Sequence, residues 1–250
     1  MLEKELSQLR NYKVVKANDL IQKSRFNLHL QEQKIILYLI SKIKPEDLKL
    51  EEHIFQIRDF CKICGLDYDN GANYRYIRQT IKDLRDKSVW IRLDEDNIRT
   101  LSWFDYITIN EKTGGTTIKI SDMMKPYLLH LKEKYTQYEL LYTLAMKSNY
   151  SLRLYEILKS YEFQRTKTFE IDELRKLLSA ENYIRFADFK RRTLDVAMQE
   201  INIISDLDVT YRIIKQSRKF TKLEFAMKVK KNTTERLKTW ANIEKIIEKK

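Results

Sequence analysis

Two clusters of basic side chains bracket residues 186–220 of the chain. They are Lys190, Arg191 and Arg192 at one end, and Arg218 and Lys219 at the other. Lysine and arginine neutralise DNA phosphates, and an arginine that faces the major groove can fork onto guanine O6 and N7. A helical and then an alternating pattern separates the clusters, which predicts a DNA-facing helix start and a hairpin tip. Any single cation could also be a solvated surface charge, so the prediction depends on the cluster as a whole.

The only two cysteines lie close together in the sequence "CKIC", at Cys61 and Cys64. A structural zinc site usually needs four ligands, but no second CxxC is present and the three histidines are scattered. A reactive thiol pair sits at a helix N-terminus, where the helix dipole lowers the thiol pKa. Here the pair comes at the end of a short helical pattern, just before Gly65. We therefore predict no metal site, and two small residues that are partly buried on the inner face of that helix.

Sequence signals for catalysis are missing as well. The chain has no G-x-x-x-x-G-K-[ST], no G-x-S-x-G and no H-E-x-x-H pattern. No two histidines are close enough to form the metal-binding pair of a nicking nuclease. These observations predict a protein that is not an enzyme and needs no cofactor. A redox protein that uses the two cysteines, or a nicking nuclease, is the alternative class.

The charge of the chain is distributed unevenly. The net charge is +12, and residues 211–250 hold 13 Lys and Arg against four Asp and Glu, which is +9 of that total. A nearly neutral body with a basic end suggests a surface for polyanions. For the end of the chain, a solvated and disordered basic tail is the alternative.

Composition favours a soluble protein with modest cores. Apolar residues make up 43% and charged residues 34% of the chain. No apolar run approaches the roughly 20 residues of a membrane span, and the first residues lack the apolar stretch of a signal peptide. We therefore predict a cytoplasmic protein with no membrane partner. Only four glycines and two prolines are present, which predicts helices and strands with short connections.

One order of elements occurs twice along the chain. A helical pattern, a short strand, a short helix, a longer helix and alternating strands follow one another in each half, and residues 98–109 are predicted to form a single strand in the first half. Phe55 precedes Phe169 by 114 residues, and Ile81 precedes Leu194 by 113 residues. This spacing predicts two copies of one small α+β domain, although helix–helix–hairpin patterns are common enough for a chance match.

Two helices followed by a β-hairpin form the winged version of the helix-turn-helix, in which the second helix enters the major groove. The predicted fold class is therefore α+β, with two tandem winged-helix domains, rich in helix and carrying β-hairpin wings. In the second copy, the buried stripe is predicted to contain Phe186, Phe189, Ala197 and Ile201, joined by Thr193 or Leu194. Cations in the first turn of a helix oppose its dipole, which suggests that they serve a partner outside the fold. The first-copy helix carries a similar set, namely Arg75, Arg78 and Lys82.

Four stretches of the sequence resemble a known family. They are "KANDLIQKSRFNLHLQEQKIILYLISKI", "PYLLHLKEKYTQYELLYTLAMKSNYSLRLYEILKSY", "FADFKRRTLDVAMQEINIISDLDVTY" and the later "LEFAMKV". In this order and spacing they resemble the replication initiator (Rep) proteins of iteron-containing, theta-replicating bacterial plasmids. The resemblance implies an N-terminal winged-helix domain over 1–130 for dimerisation and accessory DNA contact. It implies a sequence-specific DNA-binding domain over 131–230, which is followed by a basic tail over 231–250.

The resemblance also implies the partners and the DNA-contacting residues. Family members bind iterons as monomers to start replication, act with the host initiator and the replicative helicase, and repress their own promoter as dimers. The family's DNA-contacting role is implied for the start of the "FKRR" helix, which matches the family motif. It is implied for the hairpin by position, and for the helix of the first copy by analogy. The residues are Arg185, Lys190, Arg191 and Arg192; Lys215, Arg218 and Lys219; and Arg75, Arg78 and Lys82. A winged-helix transcriptional regulator without an initiator role is the alternative.

Overall fold

The computed structural model describes residues 12–44, 46–216 and 219–248. The chain forms two compact units, an N-terminal one that ends at Leu144 and a C-terminal one that begins at Ala145. In the described part of the chain, no helix combines the length and the apolar character needed to cross a membrane.

The N-terminal unit combines small antiparallel sheets with mostly short helices. Its strands are β1 (Lys13–Ala17), β2 (Ser24–Arg25), β3 (Glu52–Gln56), β4 (Ser88–Arg92), β5 (Ile98–Ser102), β6 (Phe104–Ile109), β7 (Gly115–Ile120) and β8 (Tyr135–Glu139). Its helices are α1 (Asn18–Gln22), α2 (Leu30–Ile40), α3 (Ile57–Ile63), α4 (Gly71–Leu84) and α5 (Lys125–Leu128), and α6 (Leu140–Ala145) spans the division between the units. Within the described residues the strands pair in the orders β2-β4-β5, β3-β7-β6 and β1-β8.

Among its described residues, the C-terminal unit forms one antiparallel sheet and a long helix with an irregular turn. Its strands are β9 (Thr166–Glu170), β10 (Leu207–Gln216) and β11 (Lys219–Val229), which pair in the order β10-β11-β9. Its helices are α7 (Asn149–Lys159), α8 (Ile171–Leu177), α9 (Phe186–Phe189), α10 (Asp195–Ile204) and α11 (Thr233–Glu248). A π-helical turn over Lys190–Leu194 joins α9 to α10, and we call residues 186–204 the long helix.

The division between the units comes later in the chain than the boundary after residue 130 that the sequence suggested. The reason is the pairing of β8 with β1, in which Tyr138 lies opposite Val14. Both of these side chains are buried. The pairing keeps residues 135–139 within the N-terminal unit.

The internal repeat predicted from the sequence is present in the structure. β3 begins at Glu52 and β9 at Thr166, which is the same 114-residue offset as between Phe55 and Phe169. Each strand leads into a short helix, and each pairs with the second strand of the later hairpin, β3 with β7 and β9 with β11. Helix, helix and hairpin therefore occur in each unit, and the prediction of two tandem winged-helix domains is confirmed.

One predicted strand proves to be two. The sequence pattern over residues 98–109 predicted a single strand, but the chain changes sheets at Trp103. The indole of Trp103 is buried and packs edge-to-face on Phe26, with ring centroids 5.7 Å apart. β5 before it pairs with β4, and β6 after it pairs with β7. The N-terminal unit thus carries the β4–β5 hairpin between α4 and its wing.

The π turn explains the buried side of the long helix. The sequence predicted that either Thr193 or Leu194 would join the buried stripe, whereas both are fully buried. Phe189 and Leu194 are five positions apart, which is the spacing that a π turn brings onto one side. Phe186 was predicted to be buried but is only half-buried, because its ring lies at the edge of the core toward the hairpin.

The segment 231–250, for which the sequence suggested a basic tail, contains α11. α11 packs on α10 with Thr239 and Ile243 buried, one turn apart on the same face. The Asn242 side-chain amide donates a hydrogen bond to the Ile203 carbonyl at 3.2 Å. The buried face of α11 therefore packs against the C-terminal end of α10.

Candidate nucleic-acid interface

The start of the long helix and the β10–β11 hairpin meet through aromatic rings. Phe186 on α9 stacks with Phe220 on β11, with centroids 4.7 Å apart and ring planes inclined by 32°. The Lys215 ammonium lies 5.0 Å from the centroid of the same Phe220 ring. Aromatic pairs and cation–π contacts of this kind stabilise a fixed arrangement. The hairpin and the helix start therefore form one surface rather than two separate basic ends.

A second contact joins Lys190 to the hairpin. The Lys190 ammonium donates to the Asp195 carboxylate at 2.7 Å, and the Tyr211 hydroxyl on β10 donates to the same carboxylate at 3.4 Å. Lys190 and Asp195 are five positions apart, so the π turn places them side by side. The hydrogen bond to Asp195 raises the pKa of Lys190, which keeps its ammonium charged.

Arg191 and Arg192 are held more loosely than Lys190. The side chain of Arg191 is 70% exposed and has one ion pair with Asp188, at 3.2 Å. The guanidinium of Arg192 lies 5.9 Å from the centroid of the Tyr183 ring. Exposed ion pairs are worth only about 0–1 kcal/mol, so an anionic partner can compete for these guanidinium groups.

Most of the predicted cations of the second copy therefore share one face of the C-terminal unit. Arg185 is exposed at the N-cap of α9, and Lys219 is exposed at the start of β11. Arg218 was also predicted for this site and lies outside the described residues. We call the described set the C-terminal basic surface, and it consists of Arg185, Lys190, Arg191, Arg192, Lys215 and Lys219.

The long helix also presents two uncharged residues that the sequence reading did not select. Val196 is 38% exposed, and Gln199 is exposed. They follow Arg192 by four and seven positions, so they continue its face along the helix. An apolar side chain can contact a thymine methyl, and a glutamine can pair with an adenine edge. Their spacing from Arg192 was the signal that could have identified them.

The cations predicted in the first copy lie on α4 of the N-terminal unit. Arg75 and Lys82 are exposed, and Arg78 is partly buried. Glu111, in the turn between β6 and β7, accepts from Arg78 at 2.5 Å and from Lys82 at 3.1 Å. The two copies thus differ, because in this one a carboxylate from the hairpin lies against the cations of the helix.

The cysteine pair lies in the core of the N-terminal unit. Cys61 and Cys64 are both buried free thiols, and burial raises the pKa of Cys61. A raised pKa leaves the thiol protonated and weakly nucleophilic. Among the described residues no group of His, Cys, Asp and Glu is placed to hold a metal ion. The predicted packing role of the two cysteines is confirmed.

Comparison with known proteins connects this geometry to a family. The fold matches the Pi initiator protein, whose crystal structure is in complex with iteron DNA, with a TM-score of 0.71 and 20% identity over 89% of this chain and 99% of that one. A replication initiation protein of Escherichia coli is 25% identical over 205 residues, which cover 78% of this chain. The aligned region spans 63% of that relative's length.

Two family models match consecutive parts of the chain. Residues 13–159 match the model described as initiator replication protein, WH1, and residues 170–227 match the initiator Rep protein, WH2. These ranges contain both helix–helix–hairpin units and the described residues of the C-terminal basic surface. The chain therefore belongs to the initiator Rep protein family.

Proposed function

We propose that this protein is a plasmid replication initiator that binds iteron repeats at an origin through its C-terminal unit. The observation that carries the proposal is the C-terminal basic surface, in which the long helix and the hairpin present cations on one face. Membership of the initiator family and the fold shared with an initiator described with iteron DNA support the same function.

The geometry suggests a division of labour within the surface. The long helix would enter the major groove, where Arg191, Arg192 and Gln199 would meet base edges and Val196 a thymine methyl. Lys215 and Lys219 on the hairpin would hold the phosphate backbone or the minor groove. Lys190 is already engaged by Asp195 and would contribute charge beside the groove.

A footprint on the repeats of its own plasmid tests this proposal directly. The purified full-length chain should protect tandem direct repeats at moderate salt, and a random-sequence duplex of equal length should need a much higher protein concentration. Equal binding to both duplexes would reject sequence-specific initiation. The salt concentration must be fixed, because phosphate contacts make the affinity strongly salt-dependent.

We extend the proposal to the events that follow DNA binding. The protein would help to open the duplex, recruit the host initiator and replicative helicase, and repress its own promoter as a dimer, without enzymatic activity, in the cytoplasm. For dimerisation we propose the N-terminal hairpin over 103–120, whose sheet exposes Ile54 (78%) and Tyr106 (41%). Ile54→Asp should shift full-length protein toward monomer in sedimentation, and an unchanged monomer–dimer ratio would exclude this face.

A winged-helix regulator without an initiator role is the second candidate, since self-repression uses the same DNA-binding surface. Deleting the gene and supplying it in trans separates the two. An initiator is required for the plasmid to persist, whereas loss of a pure regulator would change copy number or expression only. Replacing Cys61 and Cys64 with serine should leave plasmid maintenance intact in a variant that circular dichroism shows to be folded, and loss of maintenance by a folded variant would favour a redox activity.

A further inference from the structure

The hairpin turn of the N-terminal unit is seated on its helices. Gly114 has φ +72°, and a Cβ added there would come within 3.0 Å of the Tyr74 hydroxyl on α4. The Gly114 carbonyl accepts from the Ile57 amide at the start of α3, at 3.1 Å. A larger residue at position 114 would be strained at this φ and would crowd the Tyr74 side chain, so the turn lies close against both helices.

This seating determines where the Glu111 carboxylate lies. The Asn110 side chain accepts from the amides of Lys112 and Thr113, at 3.0 Å each, and shapes the turn that presents Glu111. Glu111 then reaches Arg78 and Lys82, which are one helical turn apart on α4. The hydrogen bond from Lys82 and the charge of Arg78 hold the pKa of Glu111 below its usual range, so the carboxylate is ionised near neutral pH.

We propose that Glu111 occupies the position of a DNA phosphate on α4 and competes with DNA for Arg78 and Lys82. This inference rests on the proposed function and adds a regulator of the N-terminal contact to it. An arginine and a lysine that converge on one carboxylate also match a backbone phosphate, which is likewise an anion with several acceptor oxygens. Glu111 and Lys82 are exposed, with side-chain exposures of 62% and 44%, and Arg78 is partly accessible at 29%, so a phosphate can reach both cations and displace the carboxylate at small cost.

The two units differ in where the carboxylates that pair with their cations come from. On the C-terminal basic surface, Asp188 and Asp195 are the partners of Arg191 and Lys190, and both belong to the long helix itself. In the N-terminal unit the carboxylate comes from the hairpin and pairs with two cations at once. Glu111 thereby weakens the N-terminal contact and leaves the C-terminal unit as the dominant DNA-binding part of the chain.

Replacing Glu111 with glutamine tests the competition. The full-length E111Q protein should bind a short random-sequence duplex about two- to tenfold more tightly at low salt, as removal of two exposed ion pairs allows. The matched control is E95Q, which removes one exposed carboxylate from the β4–β5 turn of the same unit. If E95Q tightens binding as much as E111Q, a general loss of negative charge explains the effect and the proposal is wrong.

A second set of variants assigns the gain to the two cations. In R78Q/K82Q protein, adding the E111Q substitution should no longer tighten DNA binding, because Arg78 and Lys82, the two cations that pair with Glu111, are absent. A gain that persists in this background would overturn the inference. The preference of wild-type protein for its own repeats over the random duplex is measured in parallel. Absence of that preference would reject the proposed function, whereas the comparison of E111Q with E95Q decides the role of Glu111 separately.

Discussion

The cations of the C-terminal basic surface differ in how firmly the folded protein holds each side chain. Lys190 makes two short hydrogen bonds to Asp195, whereas Arg191 is mostly exposed and has one longer ion pair. A side chain that is already paired is less free to reorient toward DNA. Arg191 is therefore freer than Lys190 to form a new bidentate contact.

The first prediction compares Arg191 with Lys219. Arg191→Ala should cost about 1–3 kcal/mol of binding to the preferred duplex and much less on random DNA, because a base contact carries sequence information. Lys219→Ala should weaken binding to both duplexes alike, as a phosphate contact does. Equilibrium titrations of each variant against both duplexes check this. Equal losses for Arg191→Ala on the two duplexes would reassign Arg191 to the phosphate backbone.

The second prediction concerns a carboxylate that caps a helix. Glu200 on α10 accepts from the backbone amides of Lys147 and Ser148, at 3.1–3.2 Å, just before α7 begins. Glu200→Ala leaves these amides without that partner and should destabilise the C-terminal unit by about 1 kcal/mol. Thermal unfolding measures the change, with Gln199→Ala on the exposed face of the same helix as the control. If both variants unfold at the same temperature, the cap contributes no stability.

At the scale of elements, the π turn is what relates the basic residues to the buried face of the long helix. It places Lys190 beside Asp195 and allows Thr193 and Leu194 to be buried together. π turns are rare within α-helices and occur frequently at functional sites. Here the extra residue rotates Arg191 and Arg192 relative to α10, while the core of the unit stays closed.

The third prediction removes that extra residue. Deletion of Arg192 leaves Phe189 and Leu194 four positions apart, which an ordinary α-helix also places on one face. The unit should stay folded with Lys190 and Asp195 still on one side of the helix, while the wider turn that presents Arg191 is lost, so the preference for the cognate duplex should fall further than in Arg192→Ala. Circular dichroism during heating and binding titrations measure the two effects, with Arg192→Ala as the control. Selectivity equal to that of Arg192→Ala would show that the turn does not orient the cations.

Sequence patterns predicted the helices and strands better than they predicted which strands pair and which side chains meet. The shared offset of Phe55 and Phe169 identified the repeat because burial alternates in the same way in both strands. The change of sheet at Trp103 was not predicted, because apolar and polar residues alternate both before and after it. Only the pairing of β5 with β4 and of β6 with β7 distinguishes the two strands. The contact of Glu111 with α4 was missed for a similar reason, since Arg78 and Glu111 are 33 residues apart.

At the scale of the whole molecule, positive charge is concentrated at the C-terminal end of the chain, and the fold distributes it between the hairpin and α11. Residues 211–250 hold +9 of the net +12, but α11 carries part of that charge away from the start of the long helix. Asn242 contacts Ile203, so α11 packs at the far end of the long helix from Lys190. The sequence predicted that the basic C-terminal end as a whole binds polyanions. In the structure, the cations of this end lie partly on the β10–β11 hairpin and partly on α11.

The last prediction tests which part of this charge meets DNA. Replacing Lys215 and Lys219 with glutamine should reduce the steepness with which binding falls with salt by about 2 on a log–log plot, because each phosphate contact contributes about 0.9. Replacing Lys238 and Lys245 on α11 removes the same charge from the same unit and should leave the slope nearly unchanged. Titrations of full-length protein at several salt concentrations measure both slopes. Equal decreases for the two pairs would mean that net charge, and not the surface formed by the hairpin and the long helix, governs DNA binding.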